Sequence, residues 1–210
     1  MPRHEGDFKE VKAKRPGQRK LVYGVGVNDV GYVVARKVDG RRVTCPYYQR
    51  WSNMLQRAYS TKCQERFPTY KGVSVCGEWH TFSAFKKWMR LQDWRGNALD
   101  KDLLIPNNKH YSPSTCCFVS VALNTLLLTC EAKRGAYPLG VSLHKPSGKY
   151  QASCCVSGKL THLGYYTTPE AASIAYKTFK AKLIREAADA HPDKRVRGGL
   201  RRHANNLLTS

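Results

Sequence analysis

The sequence predicts an α+β chain in two parts: a helix-rich first half, then a three-stranded antiparallel sheet backed by one helix. Three observations carry this expectation. Apolar residues recur at helical spacing in two stretches, near 46–60 and 77–91. From Leu139 the period changes to that of a strand. Thr168-Pro169-Glu170 then supplies a cap, a proline for the first helical position and an acid for the first turn.

Taken in order, residues 1–20 read as a flexible basic arm, with seven Lys or Arg against three acids. A short strand is expected around Val33 and Val34, flanked by Gly24, Gly26, Gly31 and Gly40. Pro46 opens the first helix, with Tyr47, Trp51, Met54, Leu55 and Ala58 on one face. Residues 61–75 read as a loop. The second helix places Trp79, Phe82, Phe85, Trp88 and Met89 on one side. Aromatics at helical spacing point to core packing rather than to a base-stacking platform.

The segment 97–124 offers a strand (Ala98–Leu104), a polar loop with Asn107, Asn108 and His110, and Ser112-Pro113 before an apolar stretch ending at Asn124. A basic, Gly- and Pro-containing linker follows. The runs LGVSLHK, KYQASCCVSG and KLTHLGYY are separated by P-S-G and S-G turns, as an antiparallel meander requires. Alternation puts Lys149, Gln151 and Ser153 on one face of the middle strand and Tyr150, Ala152 and Cys154 on the other. Ala171, Ala172, Ala175, Phe179 and Leu183 form the helix face that covers the sheet, and the last residues read as a mobile basic tail. The expected divisions are an arm (1–20), a first domain (21–130), a linker (131–138), a second domain (139–186) and a tail (187–210).

Charge narrows the function. The chain has 36 Lys and Arg against 15 Asp and Glu, a formal charge of +21. So large an excess points to an anionic partner, and nucleic acid is the commonest because phosphate contacts release counterions. No run is apolar enough to span a bilayer, so no membrane partner is expected. Charge does not separate double-stranded DNA from RNA. The polar N-terminus carries no signal-peptide pattern, which implies the cytoplasm and reduced thiols for the eight cysteines. They lack paired C-x-x-C spacing, so buried thiols are expected and structural zinc is not.

Two resemblances add to this reading. The strings GVSLHKPSGKYQA and GKLTHLGYYTTPEAASIAY resemble the Apetala-two (ethylene-response-factor) DNA-binding domain over 139–186. That resemblance implies strands lying in the major groove, braced by the helix behind them. Side chains able to reach base edges or phosphates are then His144, Lys145, Lys149, Gln151, Lys159, Thr161 and His162. Lysine and glutamine outnumber arginine on these strands, which favours phosphate contact, with Gln151 as an adenine reader.

Residues 21–124 are similar to phage proteins related to HNH endonucleases, through WSNMLQRAYS, YKGVSVCGEW, LDKD and NNKHYSPSTCCFV. The resemblance implies an HNH-like domain containing a ββα finger, with Mg²⁺ or another divalent cation. It places Asp100, Asp102 and Asn124 as metal ligands and His110 as the catalytic group, and puts Lys101 where such enzymes carry the general-base histidine. Cys116 stands near the family's central Asn. A lysine holds its proton at neutral pH unless strongly desolvated, so that departure bears directly on catalysis. Two functions follow: a homing-type HNH endonuclease, or a non-catalytic DNA-binding or regulatory protein that keeps the nuclease-like fold.

Overall fold

The structure, a computed structural model, describes residues 8–13, 20–128, 136–156 and 158–209. It is mixed α and β, and it divides into two compact units, Met1–Val119 and Ser120–Ser210. Part of the expected arm (1–7, 14–19) and most of the expected linker (131–135) lie outside the described residues. No helix among the described residues is long and apolar enough to cross a membrane.

In the first unit, α1 (Pro46–Tyr59) and α3 (Phe82–Arg90) supply the core. Trp51, Met54, Leu55 and Ala58 of α1 are buried with Phe82, Phe85 and Met89 of α3, and Trp79 and Trp94 close the cluster. The aromatic stripes are therefore interior. Trp51 donates its indole N–H to the Trp79 carbonyl at 2.7 Å, which satisfies the polar end of a buried ring. A Cβ on Gly26 would collide with Leu55 and Trp51, so the chain passes the core there as bare backbone.

Residues 8–13 do not behave as a free arm. Val33 donates to the Val11 carbonyl and Ala13 to that of Gly31, at 2.9 and 3.0 Å, and Phe8 packs on the core. The expected strand lies two residues later than its apolar pair suggests. Strand β1 (Ala35–Val38) pairs antiparallel with β2 (Arg41–Thr44), across Asp39-Gly40 at φ 48° and 73°. Two successive positive φ values are what a tight two-residue hairpin needs. The expected loop 61–75 contains structure too: α2 (Thr61–Arg66), a 3-10 turn at Pro68–Tyr70, and β3 (Ser74–Val75). The second helix begins with a 3-10 turn (Gly77–His80) before α3.

Strand β4 (Asn97–Asp100) is shorter than expected and pairs with β6 (Cys117–Ser120), which leads into α4 (Val121–Leu127). Strand β5 (His110–Tyr111) pairs parallel with β3. Along the chain the order is thus strand, loop, strand, helix, with α4 falling in the second unit.

The second unit holds the expected meander: β7 (Val141–His144), β8 (Lys149–Val156) and β9 (Lys159–Tyr166), antiparallel in the order β7-β8-β9. The Thr168 side chain accepts from the Ala171 N–H and caps α5 (Pro169–Ala190), as its sequence predicts. Ala172, Tyr176, Ala181 and Ile184 are buried, whereas Ala152 and Cys154 present the sheet's covered face. The tail is a correction. Residues 194–209 form α6 (Lys194–Thr209), which packs along α5 and buries Val196, Gly199, Leu200 and Ala204. Periodicity was masked there by five cationic residues and two glycines. Its arginines staple the hairpin: Arg201 pairs with Asp189 at 2.8 Å, Arg195 with Asp193 at 3.0 Å, and Arg197 donates to the His191 carbonyl.

Candidate nucleic-acid interface

Cross-strand partners in an antiparallel sheet point to the same side, so the register sorts the strands into two faces. Ala152, buried, pairs with Val141 and Gly164, and Cys154 with Thr161, which defines the side covered by α5. Burial pushes the Cys154 thiol up, opposed by the Lys180 ammonium. The opposite, open side carries Ser142 and Gln151, His144 and Lys149, and, beyond an irregularity between Ala152 and Ser153, the pair Ser153 and His162. The alternation expected for the middle strand is the one observed.

The register divides the expected contact residues. His144, Lys149, Gln151 and His162 share the open face, and Lys145 sits on the turn after β7. Thr161 and Lys159 pair with Cys154 and Val156 and so fall on the covered side. The adjacent Thr161 and His162 cannot share a face on a strand, and the irregularity at Ala152/Ser153 sets which of them is on the open one.

Tyr165, which sequence reading missed, stands on the edge strand β9 and pairs with Gln151 on this face. The His144 and His162 rings lie 4.8 and 4.7 Å from its ring. The register and its 48% exposure are what single it out. His144 Nδ1 is also held 2.8 Å from the Ser147 hydroxyl, which fixes the ring over the turn. Residues 132–169 contain no Asp or Glu. The face carries Lys149 and Gln151 on its central strand and His144, His162 and Tyr165 on the flanking ones, with no carboxylate to repel phosphate.

The 97–116 segment has a different character. The Asp100 carboxylate accepts from the backbone N–H of Asp102 (2.8 Å) and Leu103 (2.7 Å), which turns the chain out of β4. Burial pushes the Asp100 carboxyl up, against those two hydrogen bonds. Lys101, only 6% exposed, donates its ammonium to the Asp102 carboxylate and to the Asn108 carbonyl. Asn108 in turn donates to the carbonyls of Lys101 (2.8 Å) and His110 (2.7 Å) and accepts from the His110 N–H (3.0 Å). Asn107 takes positive φ (58°), a conformation asparagine tolerates. His110 is exposed, and its Nδ1 lies 2.8 Å from the Ser74 hydroxyl on the neighbouring strand. Cys116 is fully buried, and burial pushes its thiol up to about 12.

Two carboxylates, a lysine and a histidine are thus brought to one loop. Asn124 is not part of this loop; it lies on α4 and is described with the second unit. The donors do not fit a divalent cation. Asp100 is turned to backbone amides, and one oxygen of Asp102 is held by the buried Lys101 ammonium, whose charge disfavours a second cation beside it. Among the described residues no three His, Cys, Asp or Glu side chains come together in an arrangement that could hold a metal. Lys101 uses its protons as a donor, the reverse of what a base for water activation requires.

No family model, curated protein or solved structure matches this chain.

Proposed function

We propose that this chain is a double-stranded DNA-binding protein that engages the major groove with the open face of β7–β9 and does not hydrolyse the strand it binds. The observation that carries this reading is the open face itself: Lys149, Gln151, His144 and His162 with Tyr165, within a 38-residue stretch free of acids (132–169). A three-stranded ribbon has the width to enter the major groove, and its cations supply phosphate contacts while Gln151 faces base edges. The +21 charge supports a large salt-dependent component. The Apetala-two-like order of the same residues supports the same mode.

The non-hydrolytic part rests on the Lys101–Asp102–Asn108 network. It spends on chain folding the groups an HNH-like finger would need for a cation and for water. The first unit is then an HNH-like scaffold without the reaction. Incubating the full chain with plasmid and linear duplex DNA in Mg²⁺ or Mn²⁺ tests both halves. The expected result is retarded migration without nicking in either metal. Metal-dependent nicking that Asp102→Ala or His110→Ala abolishes would restore the endonuclease reading. Absence of any retardation at low salt would remove the DNA-binding one.

A further inference from the structure

The first unit has a cleft of about 290 Å³ between α1 and the 61–70 segment, lined by Asn53, Gln56, Arg57, Cys63, Phe67 and Tyr70. Its size is close to the lower bound for small-ligand sites, roughly 300 Å³. Asn53, Gln56 and Arg57 come from one face of α1, at the spacing that sets side chains next to each other.

Arg57 gives the cleft its chemistry. Its guanidinium is hydrogen-bonded to the Tyr111 hydroxyl and lies 5.6 Å from the Tyr70 ring centroid. No carboxylate among the described residues pairs with it. A guanidinium has five N–H donors in a planar fork, and one phenol and a ring face leave most of them for another acceptor. At the rim stands Phe67, 47% exposed. It is held edge-on to Tyr70, with centroids 6.3 Å apart at 71°, and the Arg66 guanidinium lies 5.3 Å from its centroid. Two amide side chains, Asn53 and Gln56, add donors and acceptors along the wall.

An uncompensated cation, a presented aromatic ring and two amides describe a ligand with a phosphate, a flat ring and polar ring edges. We propose that this cleft binds a single unstacked nucleotide, its base against Phe67 and its phosphate on Arg57, taken either from a free nucleoside monophosphate or from single-stranded nucleic acid. This site is separate from the sheet of the second unit and needs none of its residues.

The test uses the full chain with thymidine 5′-monophosphate, a short oligothymidylate, thymidine and inorganic phosphate as probes. Two readouts are taken: affinity, and the rate at which iodoacetamide alkylates Cys63, followed by peptide mass spectrometry with Cys76, half-buried and outside the cleft lining, as internal control. The expected result is that the monophosphate or the oligonucleotide slows alkylation of Cys63 severalfold and leaves Cys76 unchanged, with thymidine and phosphate alone much weaker. Protection by both shows that a free nucleotide suffices; protection by the oligonucleotide alone assigns the site to a strand. Phe67→Ala removes a surface ring without disturbing the core and lowers affinity roughly tenfold, the scale of one base–aromatic stack. Arg57→Lys keeps the charge but loses the fork, and also weakens binding. Cys63 alkylation unaffected by either nucleotide probe, or Phe67→Ala with unchanged affinity, overturns the proposal. Duplex affinity measured in the same Phe67→Ala protein stays at the wild-type value, so failure here is distinguishable from failure of the sheet.

Discussion

Asn108 makes three side-chain hydrogen bonds to backbone groups on both sides of its loop, and its own carbonyl receives the buried Lys101 ammonium. Asn108→Ala leaves a carbonyl and an amide of this loop unpaired, at roughly 1–3 kcal/mol for each such group that stays buried. Urea unfolding followed by circular dichroism checks the expected loss of about 2–3 kcal/mol. Asp100 gives a pH test whose sign is fixed by burial. Its folded carboxyl titrates above the ordinary 3.8, so as pH rises from there through the folded value the folded chain holds more protons than the unfolded one. Stability contributed by this group is therefore present at low pH, falls across that window, and is flat above it. Asp100→Asn keeps an oxygen to accept from Asp102 and Leu103 and removes the buried charge. Thermal unfolding is expected to show the variant at least as stable as the wild type at pH 7, with that part of the pH dependence gone. A metal-ligating Asp100 would give neither result in a Mg²⁺-dependent assay. Gly140 supplies a third residue-scale test. Its φ is 77°, and a Cβ there would run into the Tyr176 ring, whereas Gly148 (φ 65°) faces open space. Gly140→Ala is expected to cost well over 2 kcal/mol and Gly148→Ala only about 1, because only the first adds a clash to the strain.

At the scale of the element, legibility followed periodicity. Helices α1 and α3 and the three-stranded meander were visible in the sequence because apolar residues mark their buried faces without interruption. The α5 start was visible for a different reason, since Thr168-Pro169-Glu170 is local chemistry that tertiary context does not override. Strand β1 was placed too early and β2 escaped notice: ARKV and RRVT are cationic, and their Asp39-Gly40 turn has no alternating apolar flanks to frame it. Helix α6 escaped because its arginines read as a tail, while Val196, Leu200 and Ala204, four residues apart, are its buried stripe. This carries a prediction. Ending the chain at residue 191 removes α6, which packs along α5, and with it the burial of Val196 and Leu200, worth about 1.5–3 kcal/mol each. The truncated protein is expected to unfold at a markedly lower temperature by circular dichroism. A mere phosphate-binding tail would leave that temperature unchanged and lower only DNA affinity.

For the whole molecule, a charge of +21 pointed to an anionic partner, and register decided which residues share a face. The open face was partly legible: His144, Lys149, Gln151 and His162 were expected there, whereas Lys159 and Thr161 fall on the other side and Tyr165 was missed, because the register that sorts β9 is not written in its composition. The loop at 97–116 was legible in its residues and not in its bonding, since only three dimensions reveal that Lys101 and Asn108 hold each other. Duplex-DNA affinity, measured against salt concentration for the wild type, for Lys149→Ala with Gln151→Ala, and for Lys159→Ala, tests the proposed DNA-binding face most directly. The double variant is expected to bind at least tenfold more weakly with a shallower salt slope, because it loses a phosphate contact and a base contact of about 1–3 kcal/mol. Lys159→Ala, on the covered side, is expected to differ little. Equal affinity for the double variant and the wild type, or a larger loss at Lys159, would contradict the open face of β7–β9 as the surface that meets DNA.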